Sequence, residues 1–487
     1  MDWSQSLRLI APEETLSIAS LVLLLVAAWG GDKAAKLISV LAVAALVAAG
    51  FLVAPALCGG AMGADTYAFF GQFKADAFAS YAKVLIYISA AVALVVAPKF
   101  FDRFNAMRAE YPVLILLATI GMSMMVSATN LITLYIGLEM NSLAAYVLAA
   151  FLRTDGRSAE AGLKYFVLGA LASGILLYGM SLTYGFAGTT SFDGISASMA
   201  HGLSTGALFG LVFVFAGLAF KISAVPFHMW TPDVYEGAPT PVTTLFATAP
   251  KVAAMALTMR VAIEAFGEQA HAWQQIIVFA ALASIVVGAL GAIRQSNIKR
   301  LMAYSSINNV GFMLVGLAVA TPQGISAMLF YLAIYVAMSV GGFAMILMLT
   351  DENGNQVEDL SKMAGLSRTR PGLALGLAMI MFSLAGIPPM FGFWGKFLVF
   401  KAAVDGGMIA LAALGFAASV IGAFYYLKVV KIMYFDEPAD VVKGESDIWH
   451  KLILFGSCVV ISPLGFFLTK WLGHLADTAA SALFAGL

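Results

Sequence analysis

The sequence predicts an all-α polytopic membrane protein, because its composition is strongly apolar and long apolar runs recur along it. Hydrophobic residues make up 61% of the 487 residues and charged residues only 11%, roughly half the charged share of an average soluble domain. Each run is long enough to cross the hydrocarbon core of a bilayer as a helix. We count about fourteen spans, at 10–29, 35–56, 76–98, 110–127, 129–151, 159–185, 204–231, 239–263, 272–293, 297–319, 324–349, 373–402, 407–434 and 450–472.

The connections between these spans are short, and this excludes several classes of function. None is long enough for a soluble catalytic domain, and none contains a phosphate-cradling glycine loop or a cluster of metal ligands. The formal net charge is zero, so the charge balance does not indicate nucleic acid as a partner. Cys58 and Cys458 form no metal or redox pattern and define no disulfide. The N-terminus does not match a basic signal peptide, so we expect the first helix to be retained.

Basic residues are distributed unequally between alternate connections, which predicts the orientation of the chain. The odd-numbered connections hold most of them, Lys33, Arg157 and Arg300 among them. This bias predicts that the odd connections are cytoplasmic and that both termini lie on the outer, periplasmic side. The connection after the seventh span departs from the rule, since it contains Asp233 and Glu236 and no basic residue.

A few charged residues lie inside the predicted spans, where a charge is costly unless it has a partner or water. Lys221, Lys251, Lys396 and Glu139 are too deep for their side chains to reach the interface. One interpretation is a set of structural buried ion pairs. The favoured interpretation is a proton relay, because burial and a movable carboxylate act in opposite directions on a lysine's affinity for its proton.

Two further lysines lie nearer to the ends of their helices. We expect Lys83, about two turns into its helix, to extend to the outer interface. Lys164 follows Ser158, a plausible helix cap, and both an interfacial position and a functional role remain open for it.

Each of the three deepest lysines lies close to a proline that interrupts its helix. The pairs are Lys221 with Pro226, Lys251 with Pro250, and Lys396 with Pro388 and Pro389. Proline removes a backbone hydrogen bond, and an irregular backbone at membrane depth is tolerated only inside protein or beside a wet cavity. The repeated pairing therefore indicates water beside each lysine, as an ion path requires.

A weak internal similarity predicts two related units of five helices. The segment Ala224–Pro226 resembles Gly386–Pro388, which aligns spans four to eight with spans nine to thirteen. Since five is odd, the second unit is inverted in the membrane, as in many transporters. We therefore expect helices one to three at 1–108, a first repeat at 109–265, a second repeat at 270–436, a last helix at 448–487, and breaks in helices 7 and 12.

The segment around Lys221 resembles a family signature. The run from Lys221 to Glu236, KISAVPFHMWTPDVYE, is similar to that of the antiporter-like subunits of respiratory complex I, the proton-pumping NADH:quinone oxidoreductase, in the form typical of their subunit-N branch. The similarity continues along the chain at Glu139, at Lys251 and at Gly386, in the motifs GLE, APK and GIPP. We expect no counterpart here of the long lateral helix that extends another branch of the family.

The resemblance implies a proton relay across the middle of the membrane, formed by Glu139, Lys164, Lys221, Lys251 and Lys396. Glu139 would pair with Lys221, Lys164 would modulate that pair, Lys251 would be central, and Lys396 would be on the exit side. For His228, Asp233 and Glu236 we expect only packing, local hydrogen bonding and loop order.

The resemblance also implies the partners. The chain would be a multi-pass protein of a bacterial inner membrane, in contact with lipid and with the antiporter-like and small membrane subunits of the complex. It lacks ligands for flavin, iron–sulfur clusters or nicotinamide, so we expect no cofactor in this chain and place those groups in partner subunits. The electron donor and the type of quinone stay open, since photosynthetic relatives use ferredoxin and plastoquinone. Two alternatives also stay open, a subunit of a multi-subunit cation/proton antiporter and a purely structural spacer.

Overall fold

The computed structural model describes residues 3–57, 66–200, 202–439, 441–444 and 447–485, and most of them are helical. A two-stranded antiparallel sheet pairs β1 (Tyr67–Ala68) with β2 (Phe73–Lys74). The helices are α1 (Trp3–Leu9), α2 (Ala11–Gly30), α3 (Ala35–Leu57), α4 (Ala77–Arg103), α5 (Glu110–Ser127), α6 (Leu131–Ala149), α7 (Gly156–Ala187), α8 (Phe192–Met199), α9 (Thr205–Ile222), α10 (Trp230–Gly237), α11 (Thr240–Phe246), α12 (Ala249–Arg260), α13 (Ala270–Ile293), α14 (Ile298–Ala318), α15 (Pro322–Met348), α16 (Leu366–Thr369), α17 (Pro371–Ala385), α18 (Phe391–Asp405), α19 (Ile409–Phe435), α20 (Ile448–Ile461) and α21 (Thr469–Phe484).

The number of membrane spans agrees with the prediction once the broken helices are joined. Eleven helical stretches in the described residues are long and apolar enough to cross a membrane, or twelve with the bent pair at the C-terminus. One of them, Ala11–Leu57, is 47 residues long and contains both α2 and α3, which pack side by side. Helices α17 and α18 have 15 residues each, too few for a full span. Counting α2 and α3 as two spans adds one to these twelve, and counting α17 with α18 as one broken span adds another. The total is then the expected fourteen.

Helices 7 and 12 are broken where prolines predicted it, and the two breaks begin alike. The first half of helix 7, α9, ends at Ser223 (φ +63°), and the first half of helix 12, α17, ends at Gly386 (φ +78°). A residue in the left-handed region stops a helix because its N–H turns back to the preceding carbonyls. Both breaks therefore leave the last carbonyls of a half-helix inside the bundle.

The C-terminal helix differs from the single straight span expected at 450–472. Helix α20 ends at Ile461, and the chain bends by 66° before it continues into α21. Pro463 follows the end of α20 and lacks the N–H that would continue the helix. The remaining residues then lie against α4 and α15 as α21.

The centre of the bundle is formed by the stretch α11–α12 with α14 and α15, which are almost wholly buried. Close approach of helices depends on small residues, as between α5 and α6. A Cβ atom on Gly121 would lie 2.6 Å from the carbonyl oxygen of Gly137 on the facing helix. Such contacts let backbones pack without a gap, so the polar residues of the central helices are sealed from lipid.

Candidate functional site

Lys221 lies in the last turn of α9, where helix 7 breaks. Its ammonium Nζ donates to the hydroxyls of Ser142 on α6 (2.8 Å) and Ser173 on α7 (3.4 Å). The negative end of the α9 dipole also favours a cation at this position. Three helices thus converge on one partly buried ammonium group.

Glu139 lies on α6 one turn before Ser142. It is close enough for its charge to act on Lys221, but among the described residues the two form no ion pair within 4.0 Å; Lys221 bonds to Ser142 instead. The Glu139 oxygen Oε1 is buried and has no hydrogen-bond partner among those residues. A carboxylate that is near a lysine without binding it leaves room for a contact to form and break.

Lys251 binds the C-terminal end of α9, the first half of broken helix 7. It lies in the first turn of α12 and is only 2% exposed. Its Nζ donates to the carbonyl of Ile222 (3.0 Å) and to the hydroxyl of Ser223 (2.5 Å), the residues at which α9 ends. The ring of Trp230 faces the ammonium at 5.7 Å, within range of a cation–π attraction. Lys251 therefore neutralises the negative end of α9.

Lys396 repeats this arrangement in the second broken helix. It lies on α18, and its Nζ donates to the carbonyls of Leu384 (2.8 Å) and Ala385 (3.2 Å) at the end of α17. The ring of Phe312 lies 4.4 Å from Nζ. Within the described part of the chain neither Lys251 nor Lys396 has an acidic partner within ion-pair distance. A buried lysine without a counter-ion is rare in a membrane protein, which makes both residues candidates for a functional role.

Lys164 lies outside this buried line. Its side chain is 41% exposed, and its Nζ contacts Glu160 (2.7 Å) and Asp233 (2.8 Å). Arg300 in turn contacts Asp233 (2.6 Å) and Glu236 (3.0 Å). These five residues form what we call the basic-end cluster. The cluster explains why one connection lacked basic residues, since α7 and α14 supply them.

The basic-end cluster acts on the protonation of Asp233. Burial by itself would raise the pKa of this carboxyl, but hydrogen bonds from Lys164 and Arg300 outweigh burial, and the pKa lies below its ordinary value of 3.8. A lowered pKa means that the folded chain binds the proton less readily than the unfolded chain. The stabilising contribution is therefore complete above the ordinary pKa and is lost as the pH falls through the lowered value.

We expect Asp233→Asn to remove this dependence. The thermal unfolding temperature of the wild-type protein in detergent should fall more steeply than that of the variant as the pH is lowered from about 5 to about 3. Asp193→Asn, in the first turn of α8, serves as the control with wild-type behaviour. Parallel pH profiles for Asp233→Asn and the wild type would contradict the assignment.

The expectation for Lys83 was wrong, because it does not extend to an interface. Its side chain is buried, and Nζ contacts Oε1 of Glu13 on α2 at 2.7 Å. The same oxygen accepts a hydrogen bond from Ser123 (2.5 Å). The sequence did not indicate Glu13 as the partner, because only the packing of α2 against α5, which lies beside α4, brings the two together.

A second buried charge group was missed in the sequence. Lys74 lies just before the predicted span 76–98 and Arg260 near the end of the predicted span 239–263, yet both are buried. Arg260 Nη1 donates to Glu264 (2.7 Å), Arg260 Nη2 donates to both oxygens of Asp76 (2.9 Å each), and Lys74 contacts Glu264 at 2.9 Å. We call these residues the buried quartet: Lys74, Asp76, Arg260 and Glu264. The two positive and two negative charges of the quartet balance one another, as expected for buried ion pairs with a structural role.

The other candidates have smaller roles. His228 lies in the break of helix 7, where it contacts the backbone of Pro226. Cys458 is a free thiol, and Cys58 lies outside the described residues. Across the described ranges no three His, Cys, Asp or Glu side chains are grouped as a metal site.

A bundle with two broken helices and lysines seated on their carbonyl ends defines a class, the ion-translocating membrane subunits built on a transporter-like bundle. The family model for the transmembrane proteins of NADH:quinone oxidoreductase and Mrp antiporters matches residues 128–422. The chain belongs to this family.

Named relatives are similar over the whole length. The chain is 68% identical over 484 residues to "NADH-quinone oxidoreductase subunit N" of Erythrobacter litoralis, covering 99% of both chains. It is 59% identical to the protein of the same name from Rhizorhabdus wittichii, covering 99% of this chain and 100% of that one.

Solved structures share the fold. A chain of respiratory complex I from Thermus thermophilus has 31% identity and a TM-score of 0.82, covering 96% of this chain and 99% of the other. A chain of the Mrp complex from Dietzia has a TM-score of 0.81 at 22% identity, covering 99% and 98%. The second likeness concerns the fold alone.

Proposed function

We propose that this chain is the subunit-N component of a proton-pumping NADH:quinone oxidoreductase. It moves protons across the membrane while other subunits oxidise NADH and reduce quinone. The observation that carries the proposal is the paired seating of Lys251 and Lys396 on the carbonyl ends of two broken helices. The full-length similarity to relatives named subunit N supports the identity of the complex.

The mechanism is electrostatic and uses the line from Glu139 through Lys221 and Lys251 to Lys396. When Glu139 moves into contact with Lys221, the ammonium form is stabilised, and when it withdraws the proton is released. At an effective dielectric constant near 20, two unit charges in contact interact by about 4 kcal/mol. This is enough to change the affinity of the lysine for its proton by roughly a thousandfold. The released proton passes to Lys251, then to Lys396, and leaves at the opposite face.

Lys164 modulates this line through α10 rather than as a link in it. Its bond to Asp233 fixes α10, the second half of the broken helix whose first half carries Lys221 in its last turn. A displacement of α7 at a subunit contact would therefore move the break itself. This role fits the exposed position of Lys164 on the flank of the bundle.

Protons enter at the end of the bundle that carries the basic-end cluster. A polar cavity of about 520 Å³ opens there, lined by Glu236, Thr240, Lys299 and Glu358 among others. The distribution of basic residues assigns this end to the cytoplasm of a bacterial inner membrane and both termini to the periplasmic side. Flavin and iron–sulfur clusters belong to partner subunits, which include the other antiporter-like and small membrane subunits.

The test is proton pumping by the assembled complex with Lys221→Ala or Glu139→Gln. We expect either change to lower the ratio of protons pumped to NADH oxidised by about tenfold or more. Glu437→Gln, which breaks only an exposed pair with Arg368, is the matched control and should pump normally. If both variants assemble and pump at the wild-type rate, the relay is wrong. Co-purification with sodium/proton exchange instead of NADH dehydrogenase activity would assign the chain to an antiporter.

A further inference from the structure

A groove on the flank of the bundle lies between α17 and α20, and we call it the α17–α20 groove. It encloses a cavity of about 710 Å³ and contains no residue of the proposed relay. Most of its lining comes from these two helices and the residues just before α17, between Thr369 and Met379 and between Lys451 and Ser462. The groove is therefore a feature of the lateral surface rather than of the polar centre.

The walls of the groove are apolar and open toward the hydrocarbon of the membrane. Leu375 on α17 is 56% exposed and Phe455 on α20 is 68% exposed. At the floor the helices touch, since a Cβ atom on Gly376 would lie 3.2 Å from Leu454. A Cβ atom on Gly372 would meet no described atom within 4 Å, so the groove is open above this residue. An apolar slot of this kind suits a hydrocarbon chain.

The length of the groove matches one leaflet of a bilayer. Lys451 and Ser462 lie near its two ends and are 11 positions apart on α20 and its C-cap. At the rise of an α-helix this separation is about 16 Å. The hydrocarbon core of a bilayer is about 30 Å thick, so one leaflet takes about 15 Å of it.

The positive charge of the groove is concentrated at one end. Arg370 is the N-cap residue of α17, and Lys451 lies in the first turn of α20. Both helices begin at this end, so the positive ends of two helix dipoles add to the two cations. No acidic side chain of the described residues lines the groove. The distribution of basic residues predicts that this end is cytoplasmic, on the side where anionic lipids give the membrane surface its negative potential.

A second apolar cavity of the chain has the opposite charge. It measures about 630 Å³ and lies beside the start of α2, where Glu13 and Glu14 are among its lining residues. No basic side chain of the described residues lines it. A basic end is thus particular to the α17–α20 groove, and the second cavity provides an internal control.

We propose that the α17–α20 groove binds an anionic phospholipid of the cytoplasmic leaflet. One acyl chain lies between Leu375 and Phe455, and the phosphate lies between Arg370 and Lys451. Phosphate oxygens accept charge-assisted hydrogen bonds from guanidinium and ammonium groups. A zwitterionic phospholipid fits the same slot but brings a positive head group toward the two cations, so it binds more weakly. The site does not depend on the proposed function.

The test uses the reactivity of Cys458, a free thiol that lines the groove. In the assembled complex, stripped of lipid in detergent, an apolar maleimide should alkylate Cys458, and mass spectrometry of its peptide gives the rate. We expect phosphatidylglycerol to slow this alkylation by about fivefold or more, and phosphatidylcholine with the same chains by less than about twofold at the same concentration.

A variant without the two cations tests the head-group contacts. Arg370→Gln combined with Lys451→Gln leaves the apolar slot intact. The phosphatidylglycerol concentration that halves the rate at Cys458 should rise about twentyfold or more, because each basic residue beside an anionic lipid contributes about fivefold to binding. Arg368→Gln, in the same connection but outside the groove, and Glu14→Gln, in the second cavity, should change it by less than about twofold.

A second variant tests the acyl-chain contacts. Gly372→Phe places a ring in the open part of the groove, so phosphatidylglycerol should no longer slow alkylation relative to the same variant without lipid. Gly456→Phe is the matched control, because Gly456 lies on α20 with open space around it but does not line the groove. It should be protected as the wild type is.

Three results would overturn the lipid site. The first is equal protection of Cys458 by the two lipids, and the second is unchanged protection in the variant without Arg370 and Lys451. The third is a Cys458 that stays unreactive after the lipid is removed, which would show that another subunit covers the groove. None of them bears on the proposed function, which is decided by the pumping of the Lys221 and Glu139 variants.

Discussion

We expect proton pumping to fall by about a hundredfold or more when Lys251 is replaced by methionine. Methionine has a similar length and fits an apolar site, but it carries no proton and cannot bind the carbonyl of Ile222 or the hydroxyl of Ser223. A proton released by Lys221 would then have no acceptor on the way to Lys396. The measurement is the initial rate of NADH-driven proton uptake by inverted vesicles, divided by the amount of assembled complex.

Lys428→Met is the matched control for this change. Lys428 also donates to a carbonyl at a helix end, that of Ile293 at 3.0 Å, but it is only partly buried. We expect less than about a twofold loss of pumping. Equal losses in the two variants would show that capping a helix, rather than carrying a proton, is what Lys251 does.

The second large effect concerns stability. We expect Arg260→Met to lower the free energy of unfolding by about 3–5 kcal/mol, since removing one partner leaves buried charges of the other sign uncompensated. Arg260 is fully buried, and in addition to its bonds with Asp76 and Glu264 it donates to the carbonyl of Val126. Denaturant unfolding of the detergent-solubilised protein measures the difference.

Two further variants test the cause of this destabilisation. The double variant Arg260→Met, Asp76→Asn should be more stable than Arg260→Met alone, because it removes the carboxylate that loses its partner and keeps the Lys74–Glu264 pair. Arg368→Met breaks only an exposed pair with Glu437 and should cost no more than about 0.5 kcal/mol. If Arg260→Met lowers the free energy of unfolding as little as Arg368→Met does, the buried quartet does not stabilise the fold.

Local chemistry explains why the helix breaks were predictable. Pro226 and Pro388 mark gaps in backbone hydrogen bonding that no packing can restore, and the structure has its gaps at these places. The depth of Lys251 and Lys396 was readable from the apolar residues around them. Their partners were not, because backbone carbonyls have no signature in a sequence.

The errors arose where distant segments meet. Lys83 was expected at an interface because α4 was considered alone, whereas Glu13, 70 positions earlier, lies beside it. Arg260 was given no partner because it stands near the end of the predicted span 239–263, yet it binds Asp76 across 184 positions. A charge at a helix end is exposed or buried according to what covers it.

The sequence by itself determined the class of protein, the breaks in helices 7 and 12 and the depth of the lysines, since hydropathy and proline act within one segment. Only the tertiary structure decided which groups meet. It seated Lys251 and Lys396 on half-helix carbonyls and placed Lys164 in the basic-end cluster. These contacts depend on which helices pack against each other. The sequence of an apolar helix in a bilayer contains almost no information about its neighbours.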